Sequence, residues 1–133
     1  RLFQVYNINI RRIVPVLDIE PAAFSIETAI PCGLIVNELV SNALKYAFPG
    51  DMKGTVTVAL HVERDTGIYM LTVADTGIGL PPHIAIEEVE TLGLQLVSDL
   101  TKQIEGALTI ERTGGTTFRI RFREMLYKPR LQS

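Results

Sequence analysis

Residues 54–80 read GTVTVALHVERDTGIYMLTVADTGIGL, and this stretch decides the fold. Two runs, Gly54–Glu63 and Gly67–Ala74, alternate with β-branched residues and are separated by Asp65-Thr66-Gly67. Alternation of that kind across a Gly-containing turn predicts a β-hairpin, so the sheet is antiparallel here. The second strand runs directly into Asp75-Thr76-Gly77-Ile78-Gly79-Leu80. Glycine gives up side-chain contacts and costs entropy, and its use is unusual backbone geometry or close approach to another group. An acid at a strand end beside such a turn can accept a hydrogen bond from an exocyclic amine, which points to a pocket for a base with its phosphates nearby. Taken alone, the same residues also describe an ordinary strand-to-loop turn.

Working outward, Ala107–Arg112 and Thr116–Arg123 form a second hairpin across Thr113-Gly114-Gly115. From Cys32 to Phe48, apolar residues recur at three and four (Leu34, Ile35, Leu39, Val40, Ala43, Leu44, Ala47), the helix period. Pro31 suits the first turn of that helix, and Pro49-Gly50-Asp51 stops it. Leu92–Ile104 is a second helix, ended by Gly106. Arg12–Ile19 reads as a strand, and Pro15 inside it indicates a sheet edge. Residues 2–10 fit a strand or a lead-in segment. Residues 81–91, with Pro81-Pro82 and Glu87, Glu88 and Glu90, are a connection. The tail from Met125 to Ser133 reads as loose. The order strand, helix, hairpin, loop, helix, hairpin predicts an α+β fold, a two-layer α/β sandwich with a mixed, mostly antiparallel sheet and helices on one face. It is not a doubly wound fold, and position 82 is Pro82, so Gly77 and Gly79 do not belong to a dinucleotide-binding G-x-G-x-x-G.

The 133 residues read as a single domain with its core over 12–123. An apolar content of 47% with 21% charged residues fits a globular protein. A net charge of −2 argues against a nucleic-acid surface held by bulk electrostatics. The single Cys32 excludes an internal disulfide framework and reads as a small buried residue at a helix start. No apolar run approaches the roughly 20 residues that span a bilayer, which predicts no direct membrane insertion. The chain begins with Arg1 and no signal peptide opens it, so it reads as a piece of a longer, cytoplasmic protein.

The first long helix carries polar residues that packing does not need. Glu38, Asn42, Lys45 and Tyr46 fall at i, i+4, i+7 and i+8, on one helical stripe. An Asn amide oxygen suits Mg²⁺, which takes the rest of its shell from waters and phosphates. Lys45 can place an ammonium against phosphate, Tyr46 can lay its ring on a base, and Glu38 can orient or deprotonate a water or hydroxyl. A solvated helix edge has the same composition. Thr91-Leu92-Gly93-Leu94 opens the second helix, whose free N–H groups and dipole attract phosphate. Gly114-Gly115-Thr116 enters the last strand, where the Thr116 hydroxyl can join Asp75 around a base.

In this order the segments NELVSNALKYA, VADTGIGLP, TLGLQLVSDL and GGTTFRIRF resemble the N box, G1 box, G2 box and closing strand of the sensor histidine kinase ATP-binding domain. The similarity runs from about Pro15 to Phe122 and extends to the GHKL, or Bergerat-fold, ATPase superfamily; the phrasing IPCGLIVNELVSNALKYAFPG is similar to kinases related to the HWE subgroup. The resemblance implies ATP and Mg²⁺ as cofactors. It implies that Asp75 accepts the adenine amino group, that Gly77 and Gly79 let backbone approach, that Asn42 ligates Mg²⁺, that Lys45 touches phosphate and that Tyr46 packs near adenine. Gly93 and Leu94 would bound the phosphate end, and Thr116 the adenine end. Glu38 stands where many such kinases carry Asn and the gyrase-like ATPases carry a catalytic Glu. The implied activity is transfer of the γ-phosphoryl group to a histidine on a dimerisation domain absent from this chain, with a response regulator as the further partner. The isolated domain is then expected to be monomeric and unable to autophosphorylate. A gyrase/MutL-like hydrolase and a degenerate nucleotide-binding regulatory module are the alternatives. Thr91 replaces the usual first glycine of the G2 box, the lid segment is short, and neither His61 nor His83 has a helical acceptor context.

Overall fold

The computed structural model describes residues 12–79 and 93–124. Among the described residues five strands form one sheet: β1 (Ile13–Ile19), β2 (Gly54–Glu63), β3 (Ile68–Asp75), β4 (Ala107–Glu111) and β5 (Thr116–Arg123), in the order β1-β2-β3-β5-β4. The β1–β2 pairing is parallel and the other three are antiparallel. Two helices, α1 (Ile26–Asn42) and α2 (Leu94–Gln103), complete the second layer. The fold is therefore the mixed, mostly antiparallel two-layer sandwich expected from the strand and helix order, with Pro15 on an edge strand where it costs no ladder bond on its outer side.

Period-two alternation sends Val56, Leu60, Leu71, Val73, Phe118, Ile120 and Phe122 to the helix side of the sheet, where all are buried. Against them α1 presents Thr28, Pro31, Ile35 and Leu39, spaced three and four apart, and α2 presents Leu94, Val97, Leu100 and Thr101. The strand residues, Ile35 and Leu39 of α1 and Leu94, Val97 and Leu100 of α2 form one core with Ile13 and Ile104.

The first helix differs from its expected bounds at both ends. It begins at Ile26, so Pro31 is its sixth residue and not part of its first turn, and Cys32 lies half-buried well inside it. The earlier start is made possible by a cap that comes from the far end of the chain. The Glu124 carboxylate, just past β5, accepts from the Ser25 N–H at 2.9 Å, from the Ser25 hydroxyl at 3.1 Å and from the Thr28 hydroxyl. A carboxylate beside the N-cap residue also matches the positive end of the helix dipole. At the other end α1 does not stop but widens into a π-helical turn, Ala43–Ala47, with Asn42 still in right-handed helical conformation. The Arg12 guanidinium closes that end, donating to the carbonyls of Phe48 at 3.2 Å and Met52 at 2.8 Å. The expectations for residues 2–10, for the connection over 81–91 with Thr91 and His83, and for the tail from Met125 lie outside the described residues.

Candidate nucleotide site

A cleft opens between the C-terminal part of α1, the π turn, the end of β3 and the start of α2. It encloses about 400 Å³, its open mouth included, and is lined by Asn42, Tyr46, Asp75, Gly79, Leu94 and Thr116 together with Leu39, Ala43, Ala47 and Phe118. Six residues singled out by their chemistry in the sequence thus meet in one place, although they come from four separate segments.

Asp75 is the last residue of β3 and pairs in register with Thr116, the first of β5. Its Oδ1 accepts from the Gly77 N–H at 2.9 Å. Burial raises its pKa above the ordinary carboxylate value, while the N–H groups of Gly77 and Thr116 oppose that shift. The group is thus a desolvated acceptor, held by two backbone donors on an apolar wall, which is what reading a neutral amine requires.

The glycines of this loop are set by close approach. A Cβ on Gly77 would collide with the carbonyl oxygen of Ala47, and the next residue, Ile78, donates its N–H to that same oxygen at 2.9 Å. Gly79 has φ +77°, and a Cβ there would sit 3.1 Å from the Gly115 carbonyl. A Cβ on Gly115 would in turn strike the Asp75 carbonyl. The two glycine turns, far apart in sequence, are packed backbone to backbone, and Gly79 of the first lines the cleft.

Next to Leu94, Gly93 caps α2 with φ +70°. A Cβ on it would lie 2.5 Å from Oε1 of Glu38. Glu38 and Gly93 are therefore neighbours at the entrance to α2, but neither lines the cleft. Lys45 and Gly77 do not line it either. The expected single stripe of Glu38, Asn42, Lys45 and Tyr46 is broken: the π turn changes the angular phase after Asn42, leaving Tyr46 on the cleft, half exposed at its mouth, and Lys45 on the surface. Leu39, Ala43, Ala47 and Phe118 were not legible as site residues, because an apolar residue lining a cleft and one filling a core have the same pattern. Phe118 shares the face of Thr116 by period two, which is the one signal that marks it.

The Mg²⁺ expectation can be tested on the donor set. Among the described residues no group of three or more His, Cys, Asp or Glu side chains could hold a metal ion. Asn42 places a neutral oxygen donor in the cleft wall. That is one hard ligand and a space, a set that fits an ion carrying most of its shell as water and phosphate oxygens.

A fold with this sheet order, a cleft between helix ends and the sheet's end, and an acid-glycine turn opposite an Asn on α1 defines a known class of ATPase. The chain belongs to the histidine kinase-, DNA gyrase B- and HSP90-like ATPase family, whose sequence pattern matches residues 28–125. Within it, the chain is an ATP-binding domain of the sensor histidine kinase type. It is 36% identical over 77 residues to the sensor histidine kinase PdtaS of Mycobacterium tuberculosis, a match covering 56% of this chain and 15% of that protein. It is 33% identical over 91 residues to blue-light-activated histidine kinase 2 of Erythrobacter litoralis, covering 68% and 26%. The histidine kinase domain of the Erythrobacter litoralis EL346 blue-light activated kinase superposes with a TM-score of 0.82 at 26% identity, over 92% of this chain and 56% of that one. The mycobacterial sensor histidine kinase MprB superposes at 0.67 with 26% identity, over 93% and 91%. The chain thus spans only 15% to 26% of the length of these two relatives. No helix among the described residues is long and apolar enough to cross a membrane.

Proposed function

We propose that this chain binds Mg·ATP in the cleft and, within a longer protein, delivers the γ-phosphoryl group to a histidine on a neighbouring dimerisation domain. The observation that supports the reading is that Asp75, Gly79 and Thr116 line the same cleft as Asn42 and Leu94. Adenine lies against Asp75 and Thr116, its amino group donating to Asp75, with Tyr46 on the same cleft wall. The triphosphate runs toward the N-terminus of α2, where unsatisfied N–H groups and the helix dipole favour negative charge. Asn42 offers its amide oxygen to Mg²⁺, which neutralises phosphate charge when bound.

In the transfer step a ring nitrogen of the acceptor histidine attacks the γ-phosphorus, the bond to the β-phosphate oxygen breaks, and ADP leaves. The chain's part is positioning and charge stabilisation, the usual source of rate in phosphoryl transfer. Glu38, next to Gly93 at the entrance to α2, would take or orient the proton of the attacking imidazole. A response regulator would accept the phosphoryl group next, and the domain would work on the cytoplasmic side, where ATP is.

The test has two parts. Calorimetric titration of the parent with ATP should show tighter binding with Mg²⁺ than without. Asn42→Ala should lose that Mg²⁺-dependent gain of about tenfold or more. Mixed with a separately made histidine-bearing dimerisation domain and γ-labelled ATP, the chain should move label onto the histidine. Steady release of inorganic phosphate without an acceptor, abolished in Glu38→Gln, would instead identify a hydrolase.

A further inference from the structure

Thr76 does not line the cleft, yet both its backbone and its side chain are tied to β2. Its N–H donates to the Thr55 carbonyl at 3.1 Å, and its Oγ1 accepts from the Thr55 N–H at 2.9 Å. This reciprocal pair extends the β2–β3 ladder one step past Asp75, whose own partner is Val56. The start of β2 is shaped around that hydroxyl. A Cβ on Gly54 would collide with Thr76 Oγ1 and with the Phe48 ring, and the Gly54 N–H is held by the Arg12 carbonyl at 3.0 Å.

On the other side of Gly77, the Ile78 N–H is fixed to the Ala47 carbonyl at 2.9 Å. The turn after Asp75 is therefore pinned at Thr76 by β2 and at Ile78 by the π turn. Both pins matter because Gly77 between them has the widest choice of backbone angles of any residue type. Releasing one lets the turn, and the Gly77 N–H that orients Asp75 Oδ1, rotate.

We propose that Thr76 is a positioning residue for base recognition: its hydroxyl, held by the Thr55 N–H, sets the direction in which the Asp75 carboxylate meets the exocyclic amine of the base. This rests on the reading of Asp75 as the adenine acceptor. The role requires an acceptor atom, not a shape. Serine keeps it, whereas valine has nearly the same outline and cannot accept. Thr76 is exposed, so water can satisfy the Thr55 N–H in such a variant and the fold stands, but water does not hold the chain.

The experiment compares ADP with IDP, which carries a carbonyl in place of the amine, by calorimetry in Mg²⁺. Thr76→Val should reduce the ADP-over-IDP preference by about tenfold, the effect of one lost oriented hydrogen bond, and Thr76→Ser should restore it. The melting temperature of each variant separates this from unfolding, and Thr76→Ala takes the place of the valine if that variant does not fold. An unchanged ADP-over-IDP ratio in Thr76→Val, with binding lost in Asp75→Asn, would overturn the role of Thr76 and leave the adenine pocket standing. Unchanged ADP affinity in Asp75→Asn would overturn both.

Discussion

Asp75 is subject to two opposed influences. Burial pushes its pKa up, and the N–H groups of Gly77 and Thr116 hold it down, with burial the larger. A carboxyl whose folded pKa is raised contributes stability below its unfolded pKa and loses it as pH rises through the folded value. At neutral pH the ionised Asp75 therefore costs stability. Asp75→Asn should melt at the same temperature as the parent or higher at about pH 7, with the difference fading as pH falls below the ordinary carboxylate range, while ATP affinity is lost. A lower melting temperature for Asp75→Asn at neutral pH would show that the backbone donors, not burial, dominate. Asp75, Asn42, Tyr46 and Thr116 were legible in the sequence because their chemistry is out of place in a strand end or a helix flank. Ala47 was not: its contribution is a main-chain oxygen, and a backbone atom leaves no trace in residue type. Cys32 shows the converse. Burial, with a lesser push from the Glu124 charge, raises its thiol to about 11, so it is an inert packing residue despite its reactive chemistry.

At the scale of elements, the site depends on an irregularity. An α-helix continued past Asn42 would carry Lys45 and Tyr46 onto a stripe shared with Glu38, as period alone predicts. The π turn over Ala43–Ala47 keeps Tyr46 beside Asn42 on the cleft, leaves Lys45 off its wall and sets Ala47 against the glycine turn. π turns cost hydrogen-bond quality and cluster at functional sites for that reason. The edge strand β1 is held to β2 by a second device. His61 on β2 faces Glu20 through Nδ1 at 3.1 Å and Asp18 through Nε2 at 3.0 Å. Carboxylates only accept, so both contacts are satisfied when both ring nitrogens carry protons. The bonds to Glu20 and then Asp18 raise the His61 pKa, and the Val62 N–H and His61 lower that of Glu20. The histidine's contribution is then full below its ordinary value and lost as pH rises through the raised one. That of Glu20 is present above its ordinary value and lost as pH falls through the lowered one. The tie is strongest in the window between them. His61→Ala should depress the melting temperature at about pH 6 and have little effect at about pH 9, and an equal effect at both would rule out the charged form. These groups are exposed, so the effect is modest and weakens with added salt.

For the whole molecule, one core serves fold and site together. Ile35 is fully buried on α1 and faces the sheet, while Asn42, two turns on, faces the cleft. Ile35→Ala should cost about 2–5 kcal/mol in urea unfolding, since the cavity it leaves is walled by a close-packed sheet and cannot collapse fully. Among folded molecules of that variant, ATP affinity should change little, because the Gly77–Ala47 and Gly115–Asp75 backbone contacts beside the cleft lie elsewhere. The sequence by itself determined the order of strands and helices, the α+β class, the family and the identity of the polar residues that meet in the cleft. Those are local properties: hydrophobic period, turn composition and short motifs are written in neighbouring residues. Only the tertiary structure decided that α1 begins at Ile26 under a cap from Glu124, that a π turn takes Lys45 out of the cleft wall and keeps Tyr46 in it, and that Glu38 sits against Gly93. Each of those depends on atoms contributed by segments far apart in the chain, whose meeting is set by how the sheet and the two helices pack, and no period within one segment records it.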